Sequence, residues 1–90
     1  MTKAELIKAL AARTGASQRA VAEFLDALVD VVVESVKSGE EVRIAGLGKF
    51  KRNFRKGGER RVPRTDRVVT VPDKYVPVFR PARQFKDAVA

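Results

Sequence analysis

The sequence predicts an α+β chain: two helices, an antiparallel sheet of three or more strands with a projecting hairpin arm, and a short final helix. Three observations carry this. Apolar residues recur at helical spacing up to about residue 38, the period then falls to two, and Pro81 introduces a last short helical stretch.

The first helix is expected over roughly residues 3 to 13. Thr2-Lys3-Ala4-Glu5 has the spacing of a capping box, in which the Thr2 hydroxyl and the Glu5 carboxylate each satisfy an orphan backbone amide. Leu6, Ile7 and Leu10 follow at helical spacing, and Gly15 supplies the stop. Ser17 is a good N-cap for a second helix reaching about Ser38, ended by Gly39. Its stripe of Val21, Phe24, Leu25, Leu28, Val29, Val32 and Val36 is broadened by Ala20, Ala27, Val31 and Val33. A helix apolar over more than half its circumference needs two partners, read as the first helix and a second subunit. Asp26, Asp30 and Glu34, at i, i+4 and i+8, read as a solvated face rather than a metal site.

Val42 and Ile44 then alternate with Glu41 and Arg43, Ala45 to Gly48 is expected to turn, and Phe50 and Phe54 resume beyond it. Arg67 to Val71 is strand-like and Pro72-Asp73 breaks it. Tyr75 to Arg80 reads as a strand whose Pro77 suits an edge or bulge. Pro81-Ala82 is expected to open the last helix, through Phe85 and Val89, with proline at its favoured early position.

Ninety residues make a single domain, and a chain this short buries only about 60 to 65% of its unfolded surface. It has no cysteine and no histidine, so disulfides and the usual soft metal ligands are excluded and oligomerisation is the remaining means of stabilisation. No metal, no cofactor and no nucleophile-base pair are expected, which argues against an enzyme. No apolar run approaches the roughly 20 residues of a membrane span, and the N-terminus does not read as a secretory peptide, so an intracellular protein is expected.

The net charge of +8 points to a polyanionic partner, and its distribution locates the contact. Residues 1 to 40 hold five basic and six acidic side chains, whereas residues 51 to 67 hold eight basic and two acidic. Residues 52 to 75 read as the arm and residues 1 to 51 and 76 to 90 as the body. About nine residues per strand at roughly 3.3 Å each give an arm near 30 Å, comparable to one turn of duplex DNA.

Gly46-Leu47-Gly48-Lys49-Phe50, Arg61-Val62-Pro63, Val76-Pro77-Val78-Phe79 and Lys86-Asp87-Ala88-Val89, set in this order of elements, resemble the bacterial histone-like HU family and its relative integration host factor. The resemblance covers the whole chain. It implies a three-stranded sheet and an intertwined homodimer whose two arms wrap double-stranded DNA through the minor groove, bending it with little sequence preference. At each tip the residue matching Pro63 intercalates between base pairs. The positions expected to bind DNA are Lys3, Arg52, Asn53, Arg55, Arg60, Arg61, Pro63, Arg64, Arg67, Arg80, Arg83 and Lys86. The dimer core is expected to hold Leu28, Val29, Val32, Val36, Ile44, Leu47, Phe50 and Phe79. Bent, nicked or gapped DNA should be favoured, and the cytoplasmic nucleoid is the implied location. A site-preferring protein like integration host factor is the alternative, and an RNA-binding basic protein a more distant one. Glu59, Arg60, Val62 and Asp66 depart from the family pattern at the arm tip, as do Leu47 and Ala82 in the body.

Overall fold

The computed structural model describes residues 1–62, 64 and 67–90. The elements run α1 (Lys3–Thr14), α2 (Gln18–Lys37), β1 (Val42–Ile44), β2 (Gly48–Arg55), β3 (Gly58–Val62), β4 (Arg67–Val71), β5 (Lys74–Pro81) and α3 (Arg83–Val89). The chain divides into two compact units, residues 1–34 and 35–90.

In the first unit α1 begins where Thr2 accepts a hydrogen bond from the Glu5 amide at 3.3 Å. The capping box is closed differently from the expectation. The Thr2 hydroxyl rotates to donate to the Glu5 carboxylate at 3.4 Å, so side chain meets side chain in place of the reciprocal backbone bond. Gly15 ends the helix, its amide donating to the Ala11 carbonyl at 2.9 Å. Ser17 caps α2 through its hydroxyl, which accepts from the Ala20 amide at 3.1 Å. Among the described residues Val21 is the only buried large hydrophobic side chain. On one flank of α2 Phe24 is 74% exposed, with Leu28 and Val31 also uncovered. On the other flank Val29 and Val33 are more than half exposed.

In the second unit β1, β2 and β5 form an antiparallel sheet in that order, and β3 pairs with β4 in a two-stranded ribbon. β5 is an edge strand, which is where Pro77, lacking an amide to donate, is tolerated. One register runs through both ladders. Gly48 faces Pro81 and Arg55 faces Lys74; then Gly58 faces Val71 and Val62 faces Arg67, with two residues of each strand unpaired between. Pro72 at that break cannot donate, and the Asp73 carboxylate accepts the Gly57 amide at 2.6 Å instead. Gly57 is held to glycine by crowding, since a Cβ there would lie 1.8 Å from the Val71 carbonyl oxygen.

Two boundaries differ from the expected ones. Gly48 belongs to β2 and not to the preceding turn: the Leu47 amide closes the turn on the Ile44 carbonyl at 3.0 Å, and Gly48 pairs with both Ile44 and Pro81. A Cβ on Gly48 would sit 2.5 Å from the Arg80 carbonyl, so only glycine admits β5 there. Pro81 ends β5 and does not open α3. Ala82 stays extended with its amide on the Leu47 carbonyl at 2.9 Å, which delays the helix to Arg83.

Candidate nucleic-acid interface

Residues opposite each other in an antiparallel ladder share a face of the sheet. Arg43 opposes Lys49, which opposes Arg80, so β1, β2 and β5 each place a cation in one row. Farther along the same face Lys51 lies opposite Val78, Asn53 opposite Val76, and Arg55 opposite Lys74. The other face carries Val42, Ile44, Phe50 and Phe79, whose two phenylalanine rings lie 4.9 Å apart. Period-two alternation through three strands therefore makes a sheet with one basic and one apolar side.

Like charges directly opposite one another cost stability, about 0.2 to 1 kcal/mol per pair. Among the described residues only the Arg43 end of the row is balanced. Its guanidinium donates to the Glu41 carboxylate at 3.2 Å, and Arg43, followed by Lys49 on the neighbouring strand, holds that carboxyl below its usual value. At this end of the sheet Arg43, Lys49, Arg80 and Lys86 line an open concavity of about 640 Å³ together with the small residues Ala45, Gly46, Gly48 and Ala82 and with Ile44 and Pro81. Four cations around one open concavity form a surface suited to a phosphate chain.

The residues expected to bind from sequence distribute unevenly. Arg80 and Lys86 meet at the concavity, and Asn53 and Arg55 stand on the basic face. Arg52 is turned to the opposite face. It donates to the Lys37 carbonyl at 3.0 Å and lies 3.8 Å from the centre of the Tyr75 ring, joining the end of α2 to the base of the arm. On the ribbon, Arg60 opposes Val69 and Arg67 opposes Val62 on one side, while Arg61 shares the other side with Glu59. Arg83 is engaged with Asp87 at 3.7 Å. Lys3, in the first unit, is paired with Asp26. Arg64 is exposed, and Pro63 lies outside the described residues.

Arg43, Lys49, Lys51 and Lys74 were missed by the sequence reading. The alternation of Glu41 to Ile44 did place Arg43 on the polar side of a strand. No local window, however, relates Arg43 to Arg80, because that relation exists only through the register of two ladders.

Comparison with known proteins identifies the family. The model of the bacterial DNA-binding protein family matches residues 1–90. The DNA-binding protein HU of Clostridium pasteurianum is 38% identical over 89 residues, covering 99% of this chain and 98% of its own. HU of Geobacillus stearothermophilus is 35% identical, with 99% of each chain covered. Among solved structures, an Anabaena HU–DNA cocrystal superposes with a TM-score of 0.88 at 32% identity, covering 100% of this chain and 98% of that one. HU from Thermotoga maritima superposes with a TM-score of 0.71 at 28% identity, with full coverage of both. With the family model matched over the whole chain and a relative 38% identical across 99% of it, the chain belongs to the bacterial DNA-binding protein family, a family of architectural DNA binders and not of enzymes.

Proposed function

We propose that two copies of this chain form an intertwined dimer that binds duplex DNA with little sequence preference and bends it. The observation that carries this reading is the two-sided sheet. Its apolar side, with the uncovered flanks of α2, calls for a partner made of the same residues, and its basic side calls for a polyanion.

The dimer core comprises Leu28, Val29, Val32, Val36, Ile44, Leu47, Phe50 and Phe79. Support comes from the exposure of Leu28, Val29, Leu47 and Phe79 in the single chain, where Val29 is 58% and Phe79 41% accessible, and from Val32, Val36, Ile44 and Phe50 being only half-buried there. Large apolar patches left open to water mark interfaces. DNA is held on the body, residues 1–51 and 76–90, by the Arg43–Lys49–Arg80 row and Lys86, and along the arm, residues 52–75, by Asn53, Arg55, Arg60, Arg61, Arg64 and Arg67. Arg83 and Lys3 join them once their carboxylate partners are displaced. The arms follow the minor groove, and Pro63 enters the base stack and kinks it. Unstacking costs a few kcal/mol, offset by the additional wrapped surface. Nicks and gaps lower that cost, so they should be preferred. The protein acts in the bacterial cytoplasm, on the nucleoid.

The test is binding to intact, nicked and gapped duplexes of one sequence at two salt concentrations. We expect steeply salt-dependent affinity that rises from intact to gapped DNA. Equal affinity for all three would refute bending by unstacking, and salt-independent binding would refute the basic face.

A further inference from the structure

The arm begins where β1 stops. β1 pairs with β2 from Gly48 to Phe50, and beyond Phe50 the ladder of β2 with β5 runs on to Arg55 as a pair of strands. Arg52 is the first side chain past that point on the face it shares with Phe50 and Phe54. Its guanidinium joins three segments. It donates to the Lys37 carbonyl at 3.0 Å, and its central carbon lies 3.8 Å over the centre of the Tyr75 ring, on β5 diagonally across from it.

One planar group can make both contacts because it donates from its edge and meets an aromatic ring with its face. At the end of α2 the amides of Glu40 and Gly39 take the carbonyls of Ser35 and Val36, at 2.9 and 3.0 Å, and Arg52 takes that of Lys37. The negative end of the helix dipole favours a cation there. Gly39, at φ 95°, leaves room for it, since a Cβ at that position would come 3.3 Å from Nη2 of Arg52. An arginine that holds phosphate needs its donors free on the basic side, with Lys49, Lys51 and Arg55; those of Arg52 are engaged on the other side.

We infer that Arg52 is a positioning residue for DNA bending: by tying the base of the arm to the last turn of α2, it fixes the direction in which the arm leaves the sheet. Leverage gives this contact its effect. An arm near 30 Å turned by about 10° at its base moves its tip by about 5 Å, close to the whole width of a minor groove at about 6 Å. The inference rests on the bending reading and assigns part of its geometry to a residue that makes no phosphate contact.

The experiment measures energy transfer between dyes on the two ends of a short duplex at saturating full-length protein, beside the salt slope of affinity. Arg52→Gln and Tyr75→Leu should each lose about half or more of the rise in transfer that the wild type gives, and the double variant no more than either. The slope should stay within about 0.3 of wild type, whereas loss of a phosphate ligand removes about 0.9. Arg52→Lys keeps the charge but has no flat face to lay on Tyr75 while its edge donates, so it should behave as Arg52→Gln. Val21→Ala, which weakens packing away from the arm, should keep the full rise. A slope lowered by about 0.9 in Arg52→Gln overturns the inference, as does wild-type transfer in Arg52→Gln or in Tyr75→Leu. Full rescue by lysine would show that charge alone acts, and an equal loss in Val21→Ala that stability does; either result sinks it. A wild-type chain that binds duplex without raising transfer removes instead the bending reading beneath.

Discussion

Changing Lys49 and Arg80 together to glutamine tests the basic row where its charge is unbalanced. The two stand directly opposite each other, and among the described residues neither is held in an ion pair, whereas Arg43 is held by Glu41. If each meets one phosphate, the double change removes two counterion-release contributions. The slope of log K against log salt then falls in magnitude by about 1.8, at about 0.9 per phosphate. Measured from 1 M salt, where this contribution vanishes, that is about a thirtyfold loss of affinity at 0.15 M and about two-hundredfold at 0.05 M. Removing an opposed like-charged pair should leave thermal stability unchanged or raise it, by up to about 1 kcal/mol. The assay is fluorescence-anisotropy titration of one duplex at four or more salt concentrations, beside a thermal melt of each protein. An unchanged slope refutes phosphate contact by the row. A weakened affinity accompanied by a lowered melting temperature would mean the sheet, not the contact, had been damaged.

Replacing Pro63 with alanine should leave the salt slope intact while reducing ring closure of short DNA fragments; undiminished ring closure would exclude the wedge. Gly57→Ala should loosen the ribbon, because its new Cβ meets the Val71 carbonyl, and faster amide exchange over β3 and β4 with little change in β1 and β2 is the expected signature. The Glu41 carboxyl has its pKa depressed in the folded state, so its stabilising pairing is present above the ordinary value of 4.5 and is lost as pH falls through the depressed one. Glu41→Gln should therefore flatten the dependence of melting temperature on pH below about 4.5 and leave neutral pH nearly unaffected. An acid limb identical to wild type would show that the pair contributes nothing.

The ends of α1 and α2, the limits of β4 and the edge position of Pro77 were legible because each follows from neighbouring residues: a cap, a glycine, a proline, a short alternating run. Pro81 misled for an instructive reason. It satisfies the local rule for a helix start, but its pairing with Gly48, more than thirty residues earlier, holds it in a strand. Charge density singled out Arg55, which the ladder places opposite Lys74 on the basic face, since density is a local property. It could not separate Arg52 from its neighbours, because alternation along β2 turns Arg52 toward Tyr75 and the Lys37 carbonyl while Lys51 and Asn53 face the other way. Nor could it find Arg43 and Lys49, which stand outside the densest segment and join Arg80 only when the strands pair.

The break in the arm shows how one register can serve two mechanical needs. A single long ribbon would transmit any twist at its tip to the body, and an isolated two-stranded ribbon is marginal in water. Here the inner ladder, from Gly48 to Arg55, is backed at its inner end by β1 and carries cross-strand aromatic pairs. The outer ladder, from Gly58 to Val62, is two-stranded among the described residues. Between them Pro72 has no amide to donate to the ladder, and the Gly57 amide donates to the Asp73 side chain. Because the offset between strands is the same on both sides of the break, bending there leaves the partner of every paired residue unchanged. A change of angle there would let the outer ribbon follow DNA of different curvature on the proposed reading, with Arg60, Arg61 and Arg67 keeping their register relative to one another. Affinity for duplexes of varied bend would in that case depend on the freedom of residues 56, 57, 72 and 73 more than on any added charge at the tip.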